Sequence, residues 1–345
     1  MSPLLLALAL AAAPAPARAQ EFPALGGAAT KPYGVLILAY DVDAKWRRQL
    51  ADARRQLPGH AVESVDSAGD AVSVQRAIDR LVARGVSKVV AIPLETDAAS
   101  TRLEMTLYMF GQRGKPVLDV PAAEKSDFGA PLKAPGTPGM PTLKLGGGGT
   151  GLPLASGPAG SVKRLKCPVP LVLAPSLDGS TLLVDILADR AKALARDPAK
   201  ESLVLAGVAP RSDEAMSEWL ADAQKTADAV GRKAGFARAV AVAVRSGVGS
   251  DQQDSDRRTL RATFRGLTRQ GPVDVVPLSP EADRVGQMLR QALGGFSAYR
   301  WDGKGVQGDA RLLPWIRTAA EKASALPDGR IFKDGGALGA PGGFP

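Results

Sequence analysis

The side chains best suited to chemistry follow two predicted strands in the first half of the sequence. Tyr40 and Asp41 come directly after the first apolar run, and Glu95 follows the third. Thr101 and Glu104 come a few residues later. Because the carboxyl ends of parallel strands meet at one edge of a sheet, the carboxylates of this region could gather there, namely Asp41, Asp43, Glu95, Asp97 and Glu104. Their oxygen atoms suit Ca²⁺, Mg²⁺ or Mn²⁺, and the alternative is a solvated loop end.

The histidine and cysteine counts exclude several kinds of site. His60 is the one histidine among 345 residues, and Cys167 is the one cysteine. A metal centre with two or three histidines, a cysteine cluster around a metal and a disulfide framework within the chain are therefore excluded. Ser176 and Ser212 have no histidine positioned beside them, which excludes a Ser-His-Asp mechanism.

The balance of charge favours anionic partners. Lys and Arg number 44 against 35 Asp and Glu, which gives +9 at pH 7. A basic chain attracts nucleic acid, an anionic membrane face or a small molecule with several carboxylates. Aromatic side chains are not interleaved with the scattered basic residues, so we do not expect nucleic acid as a partner. Arg257, Arg258, Arg261 and Arg265 share a helix face that could hold carboxylates, the alternative being an exposed face.

The N-terminal residues resemble an export signal. A run of Leu and Ala over 4–13 is followed by Pro and Ala and then by Ala17-Arg18-Ala19. A short apolar run that ends in such a site predicts a secretory signal peptide over 1–19, cut after Ala19. No Lys or Arg precedes the run, so the alternative is a disordered leader. We predict a periplasmic or secreted protein, with no transmembrane segment in the mature chain.

The order of apolar runs and amphipathic segments predicts a doubly wound α/β architecture. Strands are expected over 34–39, 61–65, 88–92 and 169–174, and helices over 43–57, 72–84 and 180–194. The alternation restarts with strands over 202–207, 239–244 and 272–276 and helices over 212–233 and 255–269. Continuous apolar runs are typical of parallel strands buried on both faces. We therefore predict two similar domains of this architecture, with mostly parallel sheets, arising from a domain duplication.

A Gly- and Pro-rich stretch and a repeated motif set the predicted domain limits. The third strand of each half runs into Pro-Leu, at Pro93 and at Pro277. A loose segment interrupts the first half. The predicted parts are a linker at 20–32, a first domain at 33–197 with an insertion at 112–166, a second domain at 198–325 and a disordered tail at 326–345.

The sequence resembles the class II chelatases, and within them the two-domain sirohydrochlorin cobaltochelatases. The resemblance covers most of residues 33–316 outside the insertion. It rests on an ordered set of segments that restarts in the second half, namely Leu38–Asp43, Pro93–Glu104, Ala174–Leu183 and Leu205–Asp213. It implies two chelatase-like domains and a divalent metal, Co²⁺, Ni²⁺ or Fe²⁺, inserted into an anionic tetrapyrrole.

The resemblance also implies histidines that this sequence lacks. The family's first histidine falls on Tyr40 and its second on or beside Thr101, while the second half has Val208 and about Val285 at the corresponding places. Imidazole suits both metal transfer and the acceptance of pyrrole protons. The pKa of tyrosine lies about 3.5 units above that of histidine, a handicap of roughly 5 kcal/mol for an anionic base at pH 7.

Three functions are compatible with the residues present and with the resemblance. The preferred one is a degenerate, exported chelatase-like module, a pseudoenzyme that binds a tetrapyrrole, a metal or a protein partner without efficient chelatase activity. The alternative is an active chelatase that uses oxygen ligands, and the third is an enzyme of another class. No catalytic residue is assigned in any of them. The ligand-binding candidates are Tyr40, Asp41, Glu95, Thr101 and Glu104.

Overall fold

The computed structural model describes residues 32–39, 44–96, 101–112 and 164–327, apart from positions 67, 69, 179, 246, 281, 305 and 307. The strands are β1 (Tyr33–Leu38), β2 (Ala61–Val65), β3 (Lys88–Pro93), β4 (Leu171–Leu173), β5 (Ser202–Val208), β6 (Arg238–Val244), β7 (Val273–Pro277) and β8 (Arg300–Trp301). The helices are α1 (Ala44–Gln56), α2 (Ala71–Ala83), α3 (Thr101–Met109), α4 (Thr181–Leu194), α5 (Asp213–Ala234), α6 (Ser250–Thr268), α7 (Ala282–Leu293) and α8 (Leu312–Ser324). The predicted leader, most of the linker and insertion, and most of the tail lie outside the described residues.

Two four-stranded parallel sheets form the framework. Their strand orders are β2-β1-β3-β4 and β6-β5-β7-β8, so each sheet is wound outwards in both directions from its first strand. Helices cover both faces of each sheet, as a parallel sheet of apolar strands requires. The predicted architecture of two doubly wound α/β halves is therefore confirmed.

The Pro-Leu motif occupies the same place in both sheets. Pro93 is the partner of Leu38 in the first sheet, and Pro277 is the partner of Ala206 in the second. Proline has no N–H to give to a ladder, so it is best tolerated at a strand end. The following N–H then closes the ladder in each half: Leu94 donates to Leu38 O at 2.9 Å and Leu278 donates to Ala206 O at 2.8 Å. The repeat in the sequence thus marks equivalent strand ends.

The two halves share one hydrophobic core because they exchange helices. Helix α4 follows the first sheet in the chain but packs on α5 and β7 of the second half. Helix α8 follows the second sheet but packs on α1, β3 and β4 of the first half. Polar contacts accompany this exchange: Lys88 Nζ donates to Ser324 O at 3.0 Å, and Gln49 Nε2 donates to Asp309 O at 2.9 Å. The largest apolar cluster accordingly contains side chains from both sheets.

A close approach between helix and sheet fixes the packing of the second half. Trp219 of α5 is buried with 1% of its surface exposed, and its ring lies against Gly207 of β5. A Cβ atom at Gly207 would come within 2.5 Å of Trp219 Cζ2 and 2.9 Å of Leu278 O. Glycine is therefore required at this position, because any larger residue would displace the indole ring or the strand.

None of the described helices is both long and apolar enough to cross a bilayer.

Candidate functional site

A buried polar pair lies at the carboxyl end of β3. Glu95 is 5% exposed and Thr96 is 2% exposed, although both lie beyond the end of the strand at Pro93. The Thr96 backbone N–H donates to Glu95 Oε1 at 3.1 Å. The Thr96 hydroxyl is buried and has no hydrogen-bond partner among the described residues. Burying a hydroxyl without a hydrogen-bond partner costs free energy. The Thr96 hydroxyl is therefore available to form a hydrogen bond that none of the described protein groups supplies.

The other predicted site residues of the first half are distributed around this edge. Thr101 is the first residue of α3, and Glu104 lies in the first turn of that helix. The Glu104 side chain is half-buried. Tyr40 and Asp41 follow β1 in the chain but lie outside the described residues. Glu95 is thus the predicted site residue that the structure places in a buried position at the strand ends.

The corresponding edge of the second sheet is closed by apolar packing. The strand-ending proline pairs with Leu38 in the first sheet and with Ala206 in the second. The β1–β2 ladder ends at Leu38, whereas the β5–β6 ladder continues two residues beyond Ala206 and ends at the pair Val208–Val244. Val208 packs against the apolar cluster that the second sheet forms with α6 and α7, and Val285 of α7 is fully buried in that cluster. Valine offers no ligand atom, so neither position can contribute to a metal or proton-transfer site.

A buried arginine further closes the second edge. Arg245 follows β6 directly and its side chain is 1% exposed. It binds Asp256 through two parallel contacts, Nε to Oδ2 and Nη2 to Oδ1, both at 2.8 Å. Its Nη1 donates to Asp213 Oδ1 at 2.7 Å and to Arg211 O at 2.9 Å. Arg245 therefore ties together α5, α6 and the turn after β5, and its donors are used within the protein.

His60 lies away from both edges. It sits in the turn between α1 and β2, its ring stacks on Tyr33 with centroids 4.0 Å apart, and its Nδ1 lies 3.3 Å from Tyr33 O. These contacts are with the first residue of β1, at the amino end of the sheet. The histidine is therefore a packing residue of that end.

An acidic pair is buried at the amino end of the second sheet. Arg300 binds Asp274 through Nε to Oδ1 at 2.5 Å and Nη2 to Oδ2 at 2.8 Å, and its Nη2 also lies 2.6 Å from Glu201 Oε2. Burial raises the pKa of Asp274 to about 6, an effect that its hydrogen bond to Glu201 reinforces and that Arg300 opposes. For Glu201, burial is outweighed by hydrogen bonds from Asp274, Arg300 and backbone N–H groups, which lower its pKa. One guanidinium thus holds two carboxyl groups, and Asp274 is the one that retains a proton more readily.

Reasoning from the sequence missed two parts of these edges. Thr96 adjoins a predicted site residue, and its place three residues after the end of a buried strand was a usable signal. Arg245 also follows a buried strand directly, and a charged residue there needs a partner. The identity of its partners had no local signal, because Asp213 and Asp256 lie in separate helices.

Comparisons with known proteins give similarity of structure only. Neither a scan against protein-family models nor a search of curated proteins finds a match. A multi-domain protein from Deinococcus radiodurans, described as structurally similar to chelatases with two additional domains, is 17% identical with a TM-score of 0.47. That alignment covers 87% of this chain and 57% of that one, so this chain spans little more than half its length.

Two further solved structures represent the other similarities. The sirohydrochlorin chelatase SirB from Bacillus subtilis subspecies spizizenii, in complex with cobalt, is 9% identical over 88% of this chain and 100% of that chain, with a TM-score of 0.48. A solute-binding protein of an ABC transporter from Burkholderia multivorans is 11% identical over 85% of this chain and 89% of that chain, with a TM-score of 0.33. The fold class itself rests on the two parallel sheets.

Proposed function

We propose that this protein is an exported binding module of the chelatase type, which holds a metal ion or an anionic tetrapyrrole and does not insert the metal efficiently. The observation that carries the proposal is the buried pair at the end of β3, where a carboxylate adjoins a hydroxyl with no partner among the described groups. In open α/β sheets, ligands bind outside the carboxyl ends of the strands. A polar pair buried at that edge is the arrangement expected of a ligand site.

The difference between the two halves supports binding at the first half alone. Val208 and Val285 are packed into the core, and Arg245 makes four hydrogen bonds to protein partners. The second edge therefore has neither free donors nor ligand atoms at these positions. Two residues after its strand-ending proline the second sheet has the buried hydroxyl of Ser279, where the first sheet has the carboxylate of Glu95. Because the buried carboxylate is at the first edge, the ligand is assigned to the end of β3.

The donor atoms fit binding better than metal insertion. Glu95 and Thr96 supply oxygen, and Tyr40 and Asp41, which follow the neighbouring strand in the sequence, would supply more. Within the described ranges no group of three His, Cys, Asp or Glu side chains could hold a metal ion, so a complete metal site would need further ligands, for which Tyr40 and Asp41 are candidates. An all-oxygen set favours hard cations, or accepts hydrogen bonds from pyrrole N–H groups. It lacks the near-neutral base that the removal of pyrrole protons requires.

Replacing Glu95 with glutamine is expected to weaken metal binding about ten-fold or more, because a buried carboxylate is exchanged for a neutral amide in the oxygen set. The measurement is calorimetric titration of the full chain with Mn²⁺, repeated with Co²⁺ and with metal-free sirohydrochlorin followed by absorbance. Glu218→Gln is the matched control, since Glu218 is exposed on α5 and is expected to leave every titration unchanged. Equal affinities for the unchanged chain and Glu95→Gln would contradict the assignment to β3.

A further inference from the structure

Helix α6 and the C-cap residue that follows it carry three exposed arginines along one straight line, which we call the arginine stripe: Arg258, Arg265 and Arg269. At about 100° and 1.5 Å per residue, the three side chains lie within about 40° of one another and extend over about 16 Å of the helix. The opposite face of α6 holds Leu260 and Phe264, which pack on the outer face of the second sheet. The arginine stripe therefore faces outwards from the molecule.

The arginine stripe is cationic along its own length, and the exposed carboxylates on the same face, Asp251 and Asp254, lie before it, in the first turns of α6. None of its three side chains takes part in an ion pair among the described residues. The segment 257–272 contains five arginines and neither Asp nor Glu. The other two arginines of the helix are used locally: Arg257 binds Asp254 at 3.2 Å, and Arg261 Nε donates to Ala292 O at 2.9 Å. The helix thus separates its arginines into two that hold structure and three that are left to solvent.

The surroundings of the arginine stripe select one kind of partner. A stable protein interface needs an apolar core with large side chains, and single-stranded nucleic acid needs aromatic rings for stacking. The exposed large hydrophobic residues of the described chain are Val72 and Leu326, neither of which is on α6. A row of guanidinium groups on a convex helix, without an apolar anchor, instead suits a planar array of phosphates.

We propose that the arginine stripe is a docking surface for an anionic phospholipid bilayer, held by electrostatic attraction without insertion. The net charge of +9 directs the protein towards such a surface, and the stripe gives it a fixed orientation, with α6 against the headgroups. Binding of this kind is reversible and weakens as salt rises. This inference is independent of the ligand site at β3.

The test is co-sedimentation of the full chain with vesicles of phosphatidylcholine that contain increasing phosphatidylglycerol. Binding is expected to rise with the anionic lipid and to fall when NaCl increases from about 0.02 M to about 0.3 M. The triple variant Arg258→Gln, Arg265→Gln, Arg269→Gln should bind about 100-fold more weakly, at roughly five-fold for each arginine near the surface. Replacing the same three residues with lysine should preserve most of the binding, because the charge is kept.

The matched control removes the same charge from other faces, through Arg48→Gln, Arg76→Gln and Arg238→Gln, all of which are exposed. It should retain most of the affinity for anionic vesicles. Equal losses in the two triple variants would overturn the proposal, because binding would then follow net charge alone. It would also be overturned by the same binding to neutral and anionic vesicles, or by stripe-dependent binding to polynucleotide or polyglutamate without binding to vesicles.

Discussion

Replacing Trp219 with alanine is expected to lower the free energy of unfolding by about 4 kcal/mol, the range found for deletion of a fully buried aromatic side chain. The indole ring is 1% exposed, belongs to the core that both halves share and lies against Gly207. Its removal would leave a cavity that a rigid strand and a long helix cannot fill. The measurement is urea denaturation of the full chain, and Trp315→Ala, at a half-buried position of α8, should cost clearly less.

A second substitution tests the same contact from the strand side. Gly207→Ala should destabilise the unchanged protein, because the new Cβ would come within 2.5 Å of Trp219. In the Trp219→Ala background part of that cost should disappear, and the remainder reflects the Leu278 carbonyl oxygen at 2.9 Å. Additive effects of the two substitutions would show that ring and strand are not in contact.

Arg300→Met is expected to lower the free energy of unfolding by about 3 kcal/mol at pH 8, because two buried carboxyl groups lose their shared counter-charge. We place the cost at the low end of the range for buried ion pairs, since the Arg300 side chain is 27% exposed. The control is Arg311→Met, which removes an arginine that is 42% exposed and paired with Asp309 and Asp189. That change should cost under about 1 kcal/mol.

The cost of Arg300→Met should be smaller at pH 5 than at pH 8. The pKa of Asp274 is about 6 in the folded chain, above the ordinary value of an aspartate. Between those two values the folded state binds more protons than the unfolded state, so this group makes the protein less stable as pH rises to about 6. In the variant at pH 5, Asp274 keeps its proton, so only one anion, Glu201, has lost its counter-charge. At pH 8 both carboxyl groups are charged and both have lost it. A cost of Arg300→Met that is the same at both pH values would contradict the assignment of the retained proton to Asp274.

The sequence predicted the positions of the strands and helices better than it predicted which of them pack together. The apolar run at 34–39 was predicted to be a buried strand, and β1 (Tyr33–Leu38) is found there. Helix α6 was predicted to begin at Ser255 but begins at Ser250, because the polar residues of its first turns lack the apolar spacing on which the prediction relied. The exchange of α4 and α8 was not predictable, since an amphipathic pattern identifies the buried face of a helix but not the sheet that covers it.

For the candidate site, too, the sequence predicted positions along the chain but not how the residues pack. Placing Glu95 near a strand end required only the apolar run of β3, and the structure has Glu95 just beyond that end, buried. The burial of Val285 depends on the packing of α7 against the second sheet, which no spacing in the sequence reveals. Tyr40 and Asp41 lie outside the described residues, so their part in the site remains a prediction from the order of the strands.

The most direct test of the account is the rate at which the full chain inserts Co²⁺ into sirohydrochlorin, followed by absorbance. We predict a spectral change that reports binding of the tetrapyrrole, together with an insertion rate equal to that of the same mixture without protein. Insertion well above the spontaneous rate, abolished by Tyr40→Phe or Glu104→Gln, would contradict the account and identify an active chelatase with oxygen ligands. Absence of a spectral change with the tetrapyrrole, together with no heat of binding in the metal titrations, would contradict the binding function itself.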